Sequence, residues 1–427
     1  MPRSERGWSP GVPSLPLGRP PSLCPQRCTA LGLDEQITAR PPLRRTSAAA
    51  MEFTRLTPAH DDNVHDIAFD FYGKRFASCS SDKIRIWDFK EEAGDWQCYD
   101  LARFPHQNTV WRLSWAHPEF GQVFASCSED RMVCIWEEWG DTLSNSAPTP
   151  ASSSSSSSSA APPSVVKQQR WQCKAQLTES KRAINDVKFA PRHLGLKLAS
   201  ASADGFVRIY EATDVFSLNY WQLQDSIQVE ESSTEKGAAG SQAEMMASQG
   251  GMNPGSTAAA ASEHGLMCLS WNESPFDTEM IAVGGHSKKA VILVRSKATG
   301  KWFEGWSHTC QGVVHDIAWA PVMGRSYHQI ATASREGSCL IHKLKRSSRE
   351  AEGPLERLGE PIEIRTTSPV WRVAWNATGT VLATSSEDGS LSLWRRDFSG
   401  QWSNVQRLET KSEGPGASGS RIAGTFA

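Results

Sequence analysis

The chain has 427 residues, 39% hydrophobic and 22% charged, light in apolar content against the roughly 45–50% usual for globular domains, so part of it is expected to stay unfolded. Lys and Arg total 45 against 47 Asp and Glu, and the net charge of −2 offers no bulk electrostatic case for binding nucleic acid or an anionic membrane. No apolar run approaches the roughly 18 residues of a spanning helix, so no direct membrane insertion is expected, and without an apolar signal segment in residues 1–50 the ten cysteines read as reduced thiols.

Residues 1–56 are rich in Pro, Arg, Ser and Leu without periodicity and read as a disordered extension, its first 50 residues dispensable to the fold. A pattern then begins with Val64-His-Asp-Ile-Ala-Phe69. It continues through Phe76-Ala-Ser-Cys-Ser-Ser-Asp82 and Ile84-Arg-Ile-Trp87 to a fourth short strand near Trp96. The second copy runs Val110-Trp-Arg-Leu-Ser-Trp115, Phe124-Ala-Ser-Cys-Ser-Glu-Asp130 and Val133-Cys-Ile-Trp136, with a fourth strand at Trp171. Between Trp136 and Trp171, residues 141–164 hold the run Ser152 to Ser159 and read as a solvated loop, since doubling a loop costs only about 0.6 kcal/mol.

The third copy starts at Ile184 and passes through Leu198-Ala-Ser-Ala-Ser-Ala-Asp204 and Val207-Arg-Ile-Tyr210 to Trp221. A Gly/Ala/Ser-rich insertion at 231–263 separates it from the fourth. There Gly265-Leu-Met-Cys-Leu-Ser-Trp271 and Met280-Ile-Ala-Val-Gly-Gly285 stand for the first two strands, and Leu293 or Val294 takes the place of the closing Trp. The fifth copy has Val314-His-Asp-Ile-Ala-Trp319, Ile330-Ala-Thr-Ala-Ser334 and His342 in that place. The sixth returns to the full pattern with Val370-Trp-Arg-Val-Ala-Trp375, Leu382-Ala-Thr-Ser-Ser-Glu-Asp388, Leu391-Ser-Leu-Trp394 and Trp402, before a polar tail at 409–427 that reads as disordered.

Four short strands per unit, six units over, is the pattern of the WD40 blade. The fold expected is all-β, a six-bladed WD40 β-propeller over residues 57–408. Blades packed face to face bury both sides of each sheet, and large flat side chains fill the gap that widens outwards, which explains the 17 tryptophans. The sixth unit owns all four of its strands, as does the first. The ring is therefore expected to be open between first and last blades, with strand edges and apolar faces suited to β-augmentation by a partner. Phe53, Leu56, Ile67, Phe69, Val373 and Trp375 are the candidate partner-binding residues at that seam.

The turn acids Asp82, Asp130, Asp204 and Asp388 recur at one position in separate blades, so symmetry holds them apart rather than converging on a substrate. Their expected role is structural: a hydrogen-bonded network of His60, Ser80, Asp82 and Trp87 in the first blade and of His106, Ser128, Asp130 and Trp136 in the second, with Asp204, Asp388 and Trp394 in the matching positions. Cys79 and Cys127 read as small buried hydrophobes, and Cys24 and Cys28 lack a second ligand pair at zinc-finger spacing. No nucleotide-binding, hydrolase or metalloprotease motif occurs, so no cofactor, metal or catalytic residue is expected and the chain reads as a non-enzyme. Arg112 and Arg372 each sit between two Trp on an innermost strand. A charge buried there needs an acid from a neighbouring blade or a ligand over the channel mouth.

Beyond the generic repeat, Val64 to Gly73, Asp95-Trp-Gln-Cys98, Trp111 to Trp115 with Ala116-His-Pro-Glu-Phe-Gly-Gln122, and Asp186-Val-Lys-Phe-Ala-Pro191 resemble the Seh-type WD40 nucleoporins of the Y-shaped nuclear pore scaffold. The resemblance runs from about Met51 to Trp402. The paralogous COPII coat cage subunit shares the Val-Trp-x-Val-x-Trp and Trp-Ala-His-Pro motifs, but Asp204-Gly-Phe-Val-Arg-Ile-Tyr-Glu-Ala212 favours the nucleoporins. What the resemblance implies is a propeller open between its first and last blades, a helical-solenoid nucleoporin that inserts its own β blade there, and residence at the nuclear envelope in the pore complex. It also implies membership of the GATOR (SEA) complex at the lysosomal or vacuolar surface. Two other readings differ in kind: a COPII-type vesicle coat subunit at endoplasmic reticulum exit sites, and a substrate-reading propeller of a ubiquitin ligase. For the latter, the nearest approach to the adaptor motif W-D-x-R is Trp87-Asp-Phe-Lys90, which ends in Lys.

Overall fold

The structure is a computed structural model that describes residues 56, 60, 62–81, 83–100, 105–139, 171–229, 265–346, 354–397 and 399–409. Among them, six antiparallel sheets follow one another in chain order, each built outwards from an innermost strand. The innermost strands are Asp66–Phe69, Val110–Trp115, Ile184–Phe189, Leu266–Trp271, Val314–Trp319 and Val370–Trp375. This is the six-bladed all-β propeller the repeats dictate. Phe53 and Asp82 lie outside the described residues, as do Cys24 and Cys28 and the segments 1–50, 141–164 and 231–263.

Side-chain size follows distance from the ring axis. Second strands sit between two neighbouring sheets near the centre, and Ala77, Cys79, Ala125, Cys127, Ala199, Ala201, Ala331 and Ala333 on them are 0% exposed. Only small residues let sheets approach so closely at native packing density. Further out, aromatic rings fill the wedge between blades: Phe124 stacks on Trp136 at 5.8 Å and meets Trp171 edge-on at 5.1 Å, and all three are buried. The described cysteines are all free thiols.

The two degenerate repeats are complete blades. In the fourth, Leu293 pairs with Ile281 as Trp136 pairs with Phe124, so Leu293 rather than Val294 occupies the closing position. In the fifth, the outer edge is split: Leu355–Arg357 and Ile362–Arg365 both pair with the long third strand Ser338–Arg346. Pro361, which has no N–H to give to the ladder, stands immediately before the second piece.

His342 takes the closing position of the fifth blade and is 0% exposed, against His308 with ring centroids 4.7 Å apart. Burial, then the nearby His308 and Arg357, push its pKa from 6.5 down to about 3. The ring is thus neutral in the fold, while the unfolded chain takes up a proton near the ordinary histidine value. Its contribution is full above pH 6.5 and is lost as pH falls from there towards 3. Urea unfolding measured between pH 7 and pH 3.5 should show a loss of a few kcal/mol, since each pH unit below the ordinary value favours the protonated, unfolded chain by about 1.4 kcal/mol. His65, His308, His315 and His328 are lowered by burial as well, so His342→Phe should make the slope shallower by the share of one proton rather than abolish it, and an unchanged slope in the variant would contradict the assignment.

Candidate partner-binding seam

At one equivalent position the six innermost strands read Asp66, Arg112, Asp186, Cys268, Asp316 and Arg372, the third residue of each strand from the second blade on, so the odd blades carry the acids. Each acid accepts a backbone N–H from the next blade: Leu113 donates to Asp66 at 2.8 Å, Leu269 to Asp186 at 2.8 Å and Val373 to Asp316 at 3.0 Å. At the same three junctions a Trp of the even blade donates to an odd-blade carbonyl. Trp115 reaches Ala68 O at 2.8 Å, Trp271 reaches Lys188 O at 3.1 Å and Trp375 reaches Ala318 O at 3.1 Å. Blades therefore couple as 1 with 2, 3 with 4 and 5 with 6. A serine then links one pair to the next, Ser114 accepting from Phe189 N and Ser270 from Trp319 N, both at 3.0 Å.

The series stops between the sixth and first blades. Ala374 stands where Ser114 and Ser270 stand and has no hydroxyl. Five apolar cores join successive blades from first to sixth, and among the described residues no such core joins the sixth to the first. What does span the junction is polar: Arg372 donates to Asp66 at 2.9 Å and to His65 O at 3.2 Å.

Burial records the same break. The third-strand residues facing the next blade are Ile84 and Ile86, Val133 and Ile135, Val207 and Ile209, Ala290 and Ile292, and Cys339 and Ile341, all 2% exposed or less. Their counterparts in the sixth blade, Leu391 and Leu393, are only half-buried. On the opposite wall the first blade carries Phe69, Phe76, Trp87 and Trp96, the same aromatic quartet that in the second blade, as Trp115, Phe124, Trp136 and Trp171, packs on its neighbour. Phe69 and Trp96 are half-buried, 6.1 Å apart between centroids.

Of the residues expected at this seam, Ile67 and Phe69 face away from the second blade and Leu56 is half-buried. Val373 and Trp375 are a correction. They are 5% and 8% exposed and pack into the core shared with the fifth blade. The cause is the repeat itself: the fourth and sixth positions of this motif pack on the preceding blade in every unit from the second to the sixth, as Leu113, Val187, Leu269 and Ile317 also do, so in the sixth blade they face the fifth, and Arg372 and Ala374 occupy the other face. Ala383, Ser385, Leu391 and Leu393 complete that wall, at the positions that in the second blade are held by Ala125, Cys127, Val133 and Ile135.

Among the described residues the second blade links its His, Ser, Asp and Trp, and the first blade its His, Ser and Trp, with a different serine at the centre from the one expected. His106 Nδ1 meets Asp130 at 2.9 Å and His106 Nε2 meets Ser126 at 2.8 Å, while Trp136 donates to Ser126 at 2.9 Å. Trp only donates and carboxylate only accepts, which fixes the direction: Trp136 to Ser126 to His106 to Asp130. Ser128, one pleat further along, instead donates to Asn108 O and accepts from Asp130 N. In the first blade His60 contacts both Ser80 at 2.9 Å and Ser78 at 2.7 Å, and it is Ser78 that accepts from Trp87. Asp204 is held by Arg208 at 2.7 Å, and Asp388 by Ser390 N at 2.9 Å, while Trp394 donates to Thr384 at 3.0 Å. Every one of these groups is engaged within its own blade. Asp88, of the Trp87-Asp-Phe-Lys90 sequence, is likewise engaged by Arg75, which also bridges to Glu138 of the second blade at 2.7 Å.

Comparison with known proteins adds to this geometry. The family model described as "WD domain, G-beta repeat" matches residues 51–88, 99–137, 171–211 and 359–395, the four blades that keep the full pattern. Nucleoporin SEH1 of Homo sapiens is 36% identical over 379 residues, covering 86% of this chain and 90% of that one. Nucleoporin SEH1 of Xenopus tropicalis is 36% identical over 369 residues, 82% and 86% of the two chains, and that of Danio rerio 35% over 361 residues, 80% and 83%.

Proposed function

Since the chain belongs to the SEH1 nucleoporin family of WD-repeat propellers, we propose that it is a non-catalytic scaffold subunit of the Y-shaped outer-ring complex of the nuclear pore, completed by a β blade from a helical-solenoid nucleoporin. The observation that carries the reading is the break in the ring: five apolar inter-blade cores among the described residues, and at the sixth junction an aromatic wall facing half-buried leucines. A sheet inserted there would cover Ile67, Phe69 and Trp96 on one side and Ala383, Ser385, Leu391 and Leu393 on the other. It would repeat the face-to-face packing of every other junction. Leu56 and Phe53 precede the first blade and belong to the same proposed contact. Membership of the GATOR (SEA) assembly at the lysosomal or vacuolar surface is the second part of the proposal, through the same junction, and rests on the family resemblance.

The absence of catalysis belongs to the proposal as well. It is supported by the described turn acids Asp130, Asp204 and Asp388, each engaged within its own blade rather than converging on one site. A fluorescently tagged full chain in a nucleated cell is expected at the nuclear rim. Concentration at endoplasmic reticulum exit sites with no rim signal would favour the coat-cage reading instead.

A further inference from the structure

Arg372 has its acid, but Arg112 does not have a close one. The Arg112 residue is 7% exposed, and its nearest acids lie beyond hydrogen-bond distance, Asp186 at 3.9 Å from Nε and Asp316 at 3.8 Å from Nη2. Its Nη1 is buried with no partner. A guanidinium offers five N–H donors in a planar fork, and leaving them unmade in the interior is costly. Arg112 lines a cavity of about 250 Å³ at one mouth of the central channel.

The walls of that cavity come from the bulges. In the second through sixth blades the innermost strand slips by one residue at its second position, throwing Trp111, Asn185, Met267, His315 and Trp371 out of the ladder. A bulge re-aims its side chain. These five and His65 ring the mouth, with Arg112 and Arg372 also lining it. His315 stacks on Trp371 at 4.3 Å and 10°, and His65 meets Trp111 edge-on at 4.8 Å. Burial lowers the pKa of both histidines, so the rings are neutral near neutral pH and offer their faces to the cavity without a charge. Trp371 is 44% exposed and gives the cavity an outer lip.

We propose that this mouth is a binding site for a small carboxylic acid with a flat apolar body, the carboxylate received by the free edge of Arg112 and the body held between Trp111 and Trp371. The planar fork suits a carboxylate better than a spherical anion. Asp66, Asp186 and Asp316 lie around Arg112 and Arg372, so a dianionic phosphate would meet more repulsion than a monoanion. None of the residues that ring this mouth belongs to the aromatic and leucine walls of the seam, and the inference stands apart from blade insertion.

The test is a titration of the full chain, with indole nitrogens labelled, by 3-phenylpropionate, 3-phenylpropan-1-ol and 3-phenylpropan-1-amine. Saturable shifts of the Trp111 and Trp371 N–H signals are expected with the acid, and weaker or no shifts with the alcohol and amine. Arg112→Met is expected to abolish saturation. Because that variant removes a buried charge, Trp371→Ala serves as the second: it should weaken the acid at least about fivefold through loss of one aromatic wall, with the melting temperature unchanged. Equal response to acid, alcohol and amine, no response to the acid, or full affinity in Trp371→Ala would overturn the proposal.

Discussion

Trp136→Ala is expected to lower the unfolding free energy by about 3–5 kcal/mol, the range for truncating a large buried aromatic residue. Trp136 is 0% exposed, stacked on Phe124 and packed into the core joining the first and second blades. Two effects add in the alanine variant, and Trp136→Phe separates them. Phenylalanine keeps most of the packing and loses the N–H donated to Ser126, which should cost about 1–2 kcal/mol. Trp394→Ala in the sixth blade should cost less than Trp136→Ala, because Trp394 is only half-buried at the end of the ring. Chemical denaturation of the three variants checks the order. Equal losses for Trp136→Phe and Trp136→Ala would mean that the hydrogen bond, not the packing, dominates.

The double substitution Leu391→Asp with Leu393→Asp should have the opposite profile: little change in melting temperature and loss of partner binding. Each leucine is half-buried in the isolated chain, so a carboxylate there keeps access to water. Covered by an inserted blade, two unpaired carboxylates would be desolvated against an apolar sheet. Truncating interface hot spots costs about 2–4 kcal/mol each, and buried unpaired charge adds to that, so binding should fall at least about a hundredfold. Val133→Asp is the matched control. Val133 pairs with Cys127 in the second blade as Leu391 pairs with Ser385 in the sixth, but it is 0% exposed, so a carboxylate there should unfold the protein. Thermal melting and co-purification with the solenoid partner, run on both variants, distinguish a seam from a core.

Copying made the fold legible. An innermost strand with an apolar residue at its start and an aromatic at its end, a small-residue second strand and a third strand closing on an aromatic can satisfy one another only as stacked four-stranded sheets, and four blades keep all three signals, the second and sixth sharing Val-Trp-Arg-x-x-Trp outright. Where the closing residue is His342 or Leu293 the tight second strand still marks the blade, because close sheet approach near the axis demands Ala, Ser and Cys whatever happens further out. The split outer edge of the fifth blade carries no Trp and leaves no such signal. At the seam, Ile67 and Phe69 can be read from alternation, whereas Val373 and Trp375 cannot. They hold the same repeat positions as Ile67 and Phe69, and those positions pack on the preceding blade, so the motif that faces the seam in the first blade faces the fifth blade in the sixth. The network serine lies one pleat from the expected one for a related reason. Ser78 and Ser80 share a face, and only the cross-strand register sets Ser78 beside Trp87.

The central claim is that the junction between the sixth and first blades is completed by a partner's sheet. Co-expression of this chain with the helical-solenoid nucleoporin, with and without the solenoid's N-terminal β segment, tests it most directly, read as the stoichiometry of the purified complex by size-exclusion chromatography with light scattering. A soluble one-to-one complex that is lost when the segment is deleted is the predicted result. Unchanged binding after the deletion would contradict it.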